Sequence, residues 1–237
     1  MPEDTTDKGS GETQIMFNHL NKLTFPALQK KYVGGTRYYE VGDRLYPSIT
    51  SILSIQGSEK LDIWRKQVGQ EVANYAARLG ANRGTAFHKI CADYLSNRDV
   101  SVHKDRILPF GLFNLIKPEL DRVSDICILE TALCSHRYQI AGQVDCIASF
   151  DGKLSVIDLK SANRAKTDNL MLNHSIQETG YAVMWDELTG RQIRQIVTVV
   201  ACENGESQVS VGSPADHISE LERCINEFQA AGGAEDV

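Results

Sequence analysis

The feature that most constrains the fold is a two-residue turn, Asp151-Gly152, between two runs of β-forming residues. Asp-Gly is among the strongest short hairpin signals, because both turn residues readily take positive φ. The flanking runs span residues 138–150 and 154–161, and an earlier run spans 126–133. The sequence therefore predicts three strands, the last two joined as an antiparallel hairpin.

The register of this hairpin brings two carboxylates together. If Phe150 pairs with Lys153, Asp145 lies directly opposite Asp158, and Lys160 points to the same face. Opposed like charges destabilise a sheet, and Asp is a poor strand residue. A divalent cation between the carboxylates removes that cost, and a neighbouring lysine can act on water or phosphate at the metal. A surface salt-bridge ladder is the alternative, but the apolar strands favour a metal site for phosphodiester chemistry.

Other residue types that suit such a site lie nearby in the predicted elements. The backbone carbonyl of Leu159 is a natural ligand for a hard cation. Gln177 and Tyr181 are four residues apart on the next helix, so they share one face and could position a phosphate, a base or the lysine. His88 is a candidate ligand. Taken alone, His88, Gln177 and Tyr181 are each better explained by an ordinary core or surface position, and the nearby carboxylates reverse that preference.

Two basic segments suggest contact with a nucleic-acid backbone. Arg83-Gly84-Thr85 is predicted to start a helix, and the N–H groups at a helix start suit phosphate. Arg164 and Lys166, with Lys160, form a basic patch before the helix that follows the hairpin. We expect Arg83, Thr85, Arg164 and Lys166 to bind nucleic acid.

Several other candidates are assigned no catalytic role. Glu130 is equally well explained as an added carboxylate of the site or as an exposed strand residue, and stays outside the catalytic set. Three other histidines, His136, His174 and His217, have no ligand-like partners in the sequence and are interpreted as surface residues. Both tryptophans, Trp64 and Trp185, are interpreted as core residues rather than base-stacking platforms.

The order of predicted elements is helices, strand meander, helix, strand hairpin and helix. Apolar residues at steps of three and four predict a buried helical stripe over 61–79, and further helices are expected from Pro47-Ser48, near Thr85, over 109–123 with a break or kink at Pro118, from Thr167 or Asp168, and from Ser213-Pro214. Two later strands are predicted over 193–201 and 208–211, whereas residues 15–46 give no clear assignment.

Composition limits the class of protein. The net charge of -6 disfavours a protein that coats nucleic acid, but an enzyme needs only a local basic groove. Six scattered cysteines without a CxxC pair suit a reducing compartment and suggest neither a zinc site nor a disulfide framework. The sequence has neither a run of about 20 apolar residues nor a signal peptide, so we expect a soluble cytoplasmic protein without membrane contact.

Together the motifs resemble the PD-(D/E)xK nuclease superfamily, and within it the RecB-type exonucleases. The matching segments are Arg83-Gly84-Thr85-Ala86-Phe87-His88, Gly142-Gln143-Val144-Asp145, Ile157-Asp158-Leu159-Lys160 and Gln177-x-x-x-Tyr181. Residues 46–53 and 61–65 also resemble bacteriophage exonucleases related to the mitochondrial genome-maintenance exonuclease. The resemblance covers roughly residues 40–200.

This resemblance implies an α/β fold with a restriction-endonuclease-like core, in which helices flank a central mixed sheet. We expect a disordered tail over 1–13, an N-terminal helical part of the nuclease domain over 14–124, a catalytic core over 125–230 and a second disordered tail over 231–237. The helical part is expected to form a wall or arch over single-stranded substrate.

The resemblance also implies the roles of the site residues. Asp145, Asp158, the Leu159 carbonyl and His88 would hold Mg²⁺ or Mn²⁺, and Lys160 would activate or orient water. Gln177 and Tyr181 would support the substrate and the lysine.

The implied activity is a metal-dependent DNA exonuclease acting on single strands or DNA ends, in replication, recombination or DNA degradation of the phage type. A phage protein would work in the host cytoplasm, and a single-strand-binding protein or helicase could recruit it. The alternatives are a structure-specific endonuclease and a non-catalytic nucleic-acid-binding module.

Two departures from the family pattern matter. The proline of the superfamily name is replaced by Gln143-Val144 before Asp145, although RecB-type members commonly carry the Gly-x-x-Asp pattern that Gly142 satisfies. Some relatives bind an iron–sulfur cluster through one early and three clustered late cysteines. Here the late cysteines Cys202 and Cys224 lie far apart, so no iron–sulfur cluster is expected.

Overall fold

The computed structural model describes residues 15–20, 23–54 and 58–233. The predicted tail over 1–13 lies outside these residues, as do residues 234–237 of the second predicted tail. Residues 231–233 of that tail are described, and the Gly233 carbonyl accepts a 2.6 Å hydrogen bond from the Tyr38 hydroxyl.

The described chain alternates between α-helices and β-strands. The helices are α1 (Ile49–Ser54), α2 (Ser58–Val68), α3 (Gln70–Leu95), α4 (Ile107–Leu120), α5 (Asp168–Thr189) and α6 (Ile218–Ala230). The strands are β1 (Lys30–Val33), β2 (Thr36–Val41), β3 (Arg44–Pro47), β4 (Val123–Ser135), β5 (Ile140–Phe150), β6 (Lys153–Ala162), β7 (Gln195–Cys202) and β8 (Ser207–Gly212).

The central sheet has the strand order β4-β5-β6-β7-β8. All neighbouring strands are antiparallel except β6 and β7, which run parallel and are joined by α5. The predicted Asp151-Gly152 turn is present, with φ of +51° and +79°. A five-stranded mixed sheet between helices confirms the predicted fold class.

Helices cover both faces of this sheet. On one face, α1, α5 and α6 pack against apolar side chains of the strands, with Trp185 fully buried as predicted. On the other face, α3 and α4 pack over a second cluster that includes Ile157 and Leu159. Successive strand residues therefore pack against helices on opposite faces of the sheet, because side chains alternate along a pleated strand. Within the described residues, no helix is both long and apolar enough to cross a bilayer.

The N-terminal half differs from the prediction in two respects. The expected continuous helix over 61–79 is divided between α2 and α3 at Gly69, where φ is +86°. Its apolar stripe is exposed rather than buried, because the first turns of α3 extend beyond the sheet that covers its last turns. Trp64, predicted to be a core residue, is 38% exposed, and Tyr75 is 55% exposed.

The predicted helix start at Arg83-Gly84-Thr85 is also wrong. These residues lie inside the 26-residue helix α3, which passes through Gly80 and Gly84 without interruption. Backbone N–H groups within a helix already donate to carbonyls one turn earlier, so they cannot bind a phosphate. Likewise, Pro118 lies inside α4, which continues two residues beyond it to Leu120.

Residues that gave no clear assignment from sequence form a small antiparallel sheet, β1-β2-β3. Ser48 and Ala141 form a parallel bridge between the residue after β3 and β5 of the main sheet. Helices and strands from both sides of residue 124 contribute to the same two apolar clusters. The proposed boundary near residue 124 is therefore a division within one domain.

Gly142 has a steric role at the contact between β5 and α5. A Cβ atom at this position would lie 2.7 Å from Tyr181 Cε1 and 3.0 Å from Ile49 Cγ2. Both neighbouring side chains are fully or almost fully buried, so neither can move without disturbing the core. The glycine of the Gly-x-x-Asp motif therefore leaves room for the Tyr181 ring.

We expect Gly142→Ala to lower the free energy of unfolding by about 1–3 kcal/mol, because the new methyl group overpacks a tightly packed contact. Urea denaturation measures the change. Gly212→Ala is the matched control, since its Cβ would lie at an ordinary 3.5 Å from Ile196 Cγ1. Equal stability of the two variants would contradict this role of Gly142.

Candidate active site

The site forms where strands β5 and β6 separate. Their ladder follows the predicted register from Phe150↔Lys153 to Cys146↔Ile157 and ends there, one pair short of Asp145 and Asp158. Beyond that point β5 pairs only with β4, and β6 only with β7. The carboxylates therefore lie at the opening of a fork in the sheet, rather than opposite each other within a ladder.

Asp145 bridges the fork through its side chain. Its Oδ2 accepts a 2.8 Å hydrogen bond from the Leu159 backbone N–H, and its Oδ1 lies 3.2 Å from His88 Nδ1. Burial acts to raise the Asp145 pKa, but His88, Lys160 and the Leu159 N–H outweigh it and hold the pKa below its ordinary value. Asp145 is thus held as a carboxylate between β6 and α3.

Asp158 lies on the α5 side of β6 and is 2% exposed. Lys160 Nζ lies 2.6 Å from its Oδ1 and 2.5 Å from its Oδ2. Gln177 Nε2 donates to the same Oδ1 at 3.2 Å and to the Tyr181 hydroxyl oxygen at 3.1 Å. The predicted set of Asp158, Lys160, Gln177 and Tyr181 is therefore one hydrogen-bonded group.

Burial acts in opposite directions on the pKa values of Asp158 and Lys160. Burial and the nearby Asp145 charge raise the pKa of Asp158, although Lys160 opposes the shift. Burial acts to lower the Lys160 pKa, but the Asp158 and Asp145 charges outweigh it and raise the pKa. Lys160 is therefore a protonated donor in this structure, facing a carboxylate that is costly to bury.

Glu130 approaches His88 and Asp145 from β4. Its Oε1 lies 3.9 Å from His88 Nδ1, and its Oε2 accepts a 2.6 Å hydrogen bond from Gln143 Nε2. Burial, followed by the Asp145 charge, raises the Glu130 pKa. Ligand atoms of His88, Glu130 and Asp145 all lie within 4.8 Å of one another.

The side chains present fit a hard divalent cation. Asp158 Oδ2 is buried and, among the described residues, accepts no well-aligned hydrogen bond even though Lys160 lies beside it. Carboxylate oxygens and an imidazole nitrogen are ligands that Mg²⁺ and Mn²⁺ accept. Two neighbouring carboxylates, one of them buried, are an arrangement that a bound cation stabilises, and the Asp145 charge does raise the pKa of Asp158.

The sequence family accounts for this arrangement. A family model described as PD-(D/E)XK nuclease superfamily matches residues 98–234, more than half of the chain. The chain belongs to the PD-(D/E)XK nuclease superfamily. Asp145, Asp158 and Lys160 lie inside the matched range, whereas His88 lies outside it.

Curated relatives carry a more specific name. The chain is 28% identical over 193 residues to mitochondrial genome maintenance exonuclease 1 of Mus musculus, covering 75% of this chain and 54% of the mouse protein. The Homo sapiens protein of that name is 26% identical over 192 residues, with 75% and 54% covered. The chain thus spans about half the length of the curated relatives that it matches. A solved structure described as "Crystal structure of SSO0001" matches with 16% identity and a TM-score of 0.36 over 81% of this chain and 78% of its own, a likeness too low to carry an argument.

Residues predicted to bind nucleic acid are less clearly placed than those at the carboxylates. The Arg83 guanidinium donates to Asn163 Oδ1 at 2.9 Å and pairs with Glu203, so it ties α3 to the ends of β6 and β7. Thr85 lines the groove beside His88. Arg164 is exposed after β6, and burial and Lys160 lower the pKa of Lys166 nearby.

Two site residues were missed from sequence. Glu178 is 1% exposed, and Thr198, the ladder partner of Asp158, donates to its Oε1. His174, interpreted as a surface residue, is half-buried, and its Nε2 is buried without a hydrogen-bond partner in the described chain. His174 lies three residues before Gln177 and four before Glu178, so it is a helix-surface neighbour of both, and the 3.6-residue period could have revealed it.

His174 makes stability depend on pH. Burial, then the charges of Lys160 and Lys166, lower its pKa from 6.5 to about 3. As the pH falls below 6.5 the unfolded chain takes up this proton before the folded chain does, so the stabilisation is present above that pH and is lost on acidification.

We expect His174→Gln to reduce the loss of unfolding free energy between about pH 7.5 and pH 5 by up to about 2 kcal/mol, since one pKa unit corresponds to about 1.4 kcal/mol. Urea titrations of both proteins at each pH provide the measurement. An identical loss in the variant would show that His174 is not the group responsible.

Proposed function

We propose that this protein is a metal-dependent DNA exonuclease that hydrolyses phosphodiester bonds on single strands or DNA ends, in replication, recombination or DNA degradation. One observation carries the proposal: the sheet opens between β5 and β6 at Asp145 and the buried Asp158, and the Lys160 ammonium lies 2.5 Å from Asp158 Oδ2. The name of the curated relatives supports the exonuclease reading.

The cation would be Mg²⁺ or Mn²⁺, bound by Asp145, Asp158, the Leu159 carbonyl and His88, without an iron–sulfur cluster. When bound it supplies charge stabilisation at the phosphate and makes water a better nucleophile. Asp145 is oriented for this role because its second oxygen is fixed by the Leu159 N–H.

Lys160 is proposed to orient the attacking water and to neutralise charge on the scissile phosphate. Its Nζ is already fixed by both Asp158 oxygens, so it needs little reorganisation. Gln177 donates to Asp158 and to the Tyr181 hydroxyl, so it fixes the orientation of the Asp158 carboxylate that contacts Lys160. Gln177 and Tyr181 thereby support the reacting groups.

The substrate path is proposed to follow the groove above these residues. This groove has a cavity volume of about 660 Å³, and α3 forms one wall through Thr85, His88 and Lys89. Four cationic side chains line it, namely Lys30, Arg37, Lys89 and Arg98. Lys89 and Arg98 share the single carboxylate of Asp93, so the four cations together keep a positive rim that suits a phosphate backbone.

Arg83, Thr85, Arg164 and Lys166 stay proposed contacts of the DNA, and a cytoplasmic location and recruitment by a single-strand-binding protein or helicase stay proposals of the same kind. A bacteriophage origin likewise remains a hypothesis from the sequence resemblance. The alternative activity, a structure-specific endonuclease, uses the same residues and differs only in the DNA that the groove admits.

Lys160→Ala should lower kcat by about 10²–10⁴-fold, because it removes the donor that faces the reacting groups. Linear 5′-labelled and 3′-labelled DNA, both single-stranded and duplex, and circular DNA are digested with Mg²⁺, Mn²⁺ or EDTA. Lys153→Ala is the control, since this exposed lysine lies on the same hairpin away from the site. Thermal melts establish that each variant is folded.

Metal-dependent loss of linear but not circular DNA, reduced only in Lys160→Ala, is the expected result. Cleavage of circles would favour the endonuclease. Absence of cleavage by folded wild-type protein under all metal conditions would overturn the proposed activity.

Lys30 and Lys31 provide a matched test of the groove, because neighbouring strand residues point to opposite faces. Lys30 lines the groove, whereas Lys31 pairs with Glu40 at 3.2 Å. We expect Lys30→Gln to weaken binding of a single-stranded oligonucleotide and to reduce the slope of log affinity against log salt by about 0.7, the effect of one lost phosphate contact. Fluorescence anisotropy at several salt concentrations measures both. Equal slopes for Lys30→Gln and Lys31→Gln would argue against this path.

A further inference from the structure

Glu130 has an unusual backbone for a strand residue. Its φ is +46°, in the left-handed region that non-glycine residues rarely occupy. It lies where the β4–β5 ladder is interrupted, since the recorded pairs pass from Leu129↔Cys146 directly to Thr131↔Val144. The two residues left between these pairs are Glu130 and Asp145. The backbone irregularity therefore places both carboxylates at the same point of the sheet.

Neighbouring side chains fix the direction of the Glu130 carboxylate. Lys30 Nζ donates to Gln143 Oε1 at 2.7 Å, and a lysine ammonium can only donate. The amide of Gln143 is thereby oriented with its Nε2 toward Glu130, where it donates to Oε2 at 2.6 Å. This chain of contacts occupies one Glu130 oxygen and leaves the other, Oε1, facing His88 and Asp145.

The spacing of the three ligand atoms matches a small divalent cation. His88 Nδ1 lies 3.2 Å from Asp145 Oδ1 and 3.9 Å from Glu130 Oε1. Ligands about 2.1 Å from an octahedral metal lie about 3.0 Å apart when adjacent and about 4.2 Å apart when opposite. Both separations from His88 fall within that range, and all three ligand atoms lie within 4.8 Å of one another, so small side-chain movements would bring them onto one ion.

We propose that Glu130 is an additional cation ligand on the His88 side of the site, beyond the Asp145, Asp158, Leu159 and His88 set. This inference rests on the proposed metal-dependent function. Asp145 would then belong to both halves of the site. It faces Asp158 and Lys160 across the fork, and it lies beside Glu130 on the His88 side. Gln143 acts as a positioning residue, because it holds Glu130 without reaching the ion.

The test measures Mn²⁺ binding directly, by the electron paramagnetic resonance signal of free Mn²⁺ during titration of the whole protein. Glu130→Gln keeps the size of the side chain and removes its charge, and should weaken Mn²⁺ binding by about 10–100-fold. Glu40→Gln is the control, since Glu40 pairs with Lys31 outside the groove. It should bind Mn²⁺ as the wild-type protein does.

A second variant separates ligation from a structural role. Asparagine tolerates the left-handed region better than glutamate, so Glu130→Asn should leave the Tm of the metal-free protein unchanged or raise it. The same variant should lose Mn²⁺ affinity, because its shorter amide carries no charge. A residue retained for stability would instead show a lower Tm.

Folded Glu130→Gln that binds Mn²⁺ with wild-type affinity would overturn this inference. If Asp158→Asn weakened binding in the same series, the proposed metal-dependent function would stand and only the role of Glu130 would fall. If wild-type protein bound no Mn²⁺, both proposals would fall together.

Discussion

The hydrogen bond from the Leu159 N–H to the Asp145 carboxylate is the interaction on which the site depends. Where β5 and β6 separate, the ladder ends at Cys146↔Ile157 and the next backbone groups lose their cross-strand partners. A buried N–H without an acceptor is costly, and the Asp145 side chain meets that need. The same bond fixes the Asp145 carboxylate at the fork, so one interaction both satisfies the backbone where the ladder ends and orients this side chain.

The crossover from β6 to β7 determines which side chains reach that fork. Because β6 and β7 are parallel, the chain must return through α5, which lies over the face that carries Asp158 and Lys160. One face of α5 presents Gln177 and Glu178 to these strands, both with hydrogen-bond partners. Neighbouring buried polar side chains are tolerated only when their hydrogen-bond partners are fixed. A rigid helix fixes Gln177 and Glu178 better than a loop would.

Local rules in the sequence predicted the central sheet and the proximity of Asp158, Lys160, Gln177 and Tyr181, because turn chemistry, strand alternation and helix periodicity act over a few residues. They could not predict the exposed apolar stripe that includes Tyr75, since its burial depends on how far α3 extends past the sheet. Gly84 suggested a helix start, but one glycine costs only about 1 kcal/mol inside a helix whose last turns are packed in the core. Glu130 was undecided because its position follows from a left-handed backbone conformation that its own residue type disfavours.

The distribution of charge separates binding from chemistry. The centre carries three carboxylates, Glu130, Asp145 and Asp158, beside one ammonium, Lys160, so its excess of negative charge disfavours a phosphate unless a further cation is bound. The rim is cationic, but its members are already engaged: Lys89 and Arg98 both pair with Asp93, and Lys30 donates to Gln143. Even so, the rim is the part of the groove that can attract a DNA strand. The centre can accept a phosphate only once its own negative charge is compensated. If the proposed cation binds there, cation and phosphate would favour each other's binding for electrostatic reasons alone.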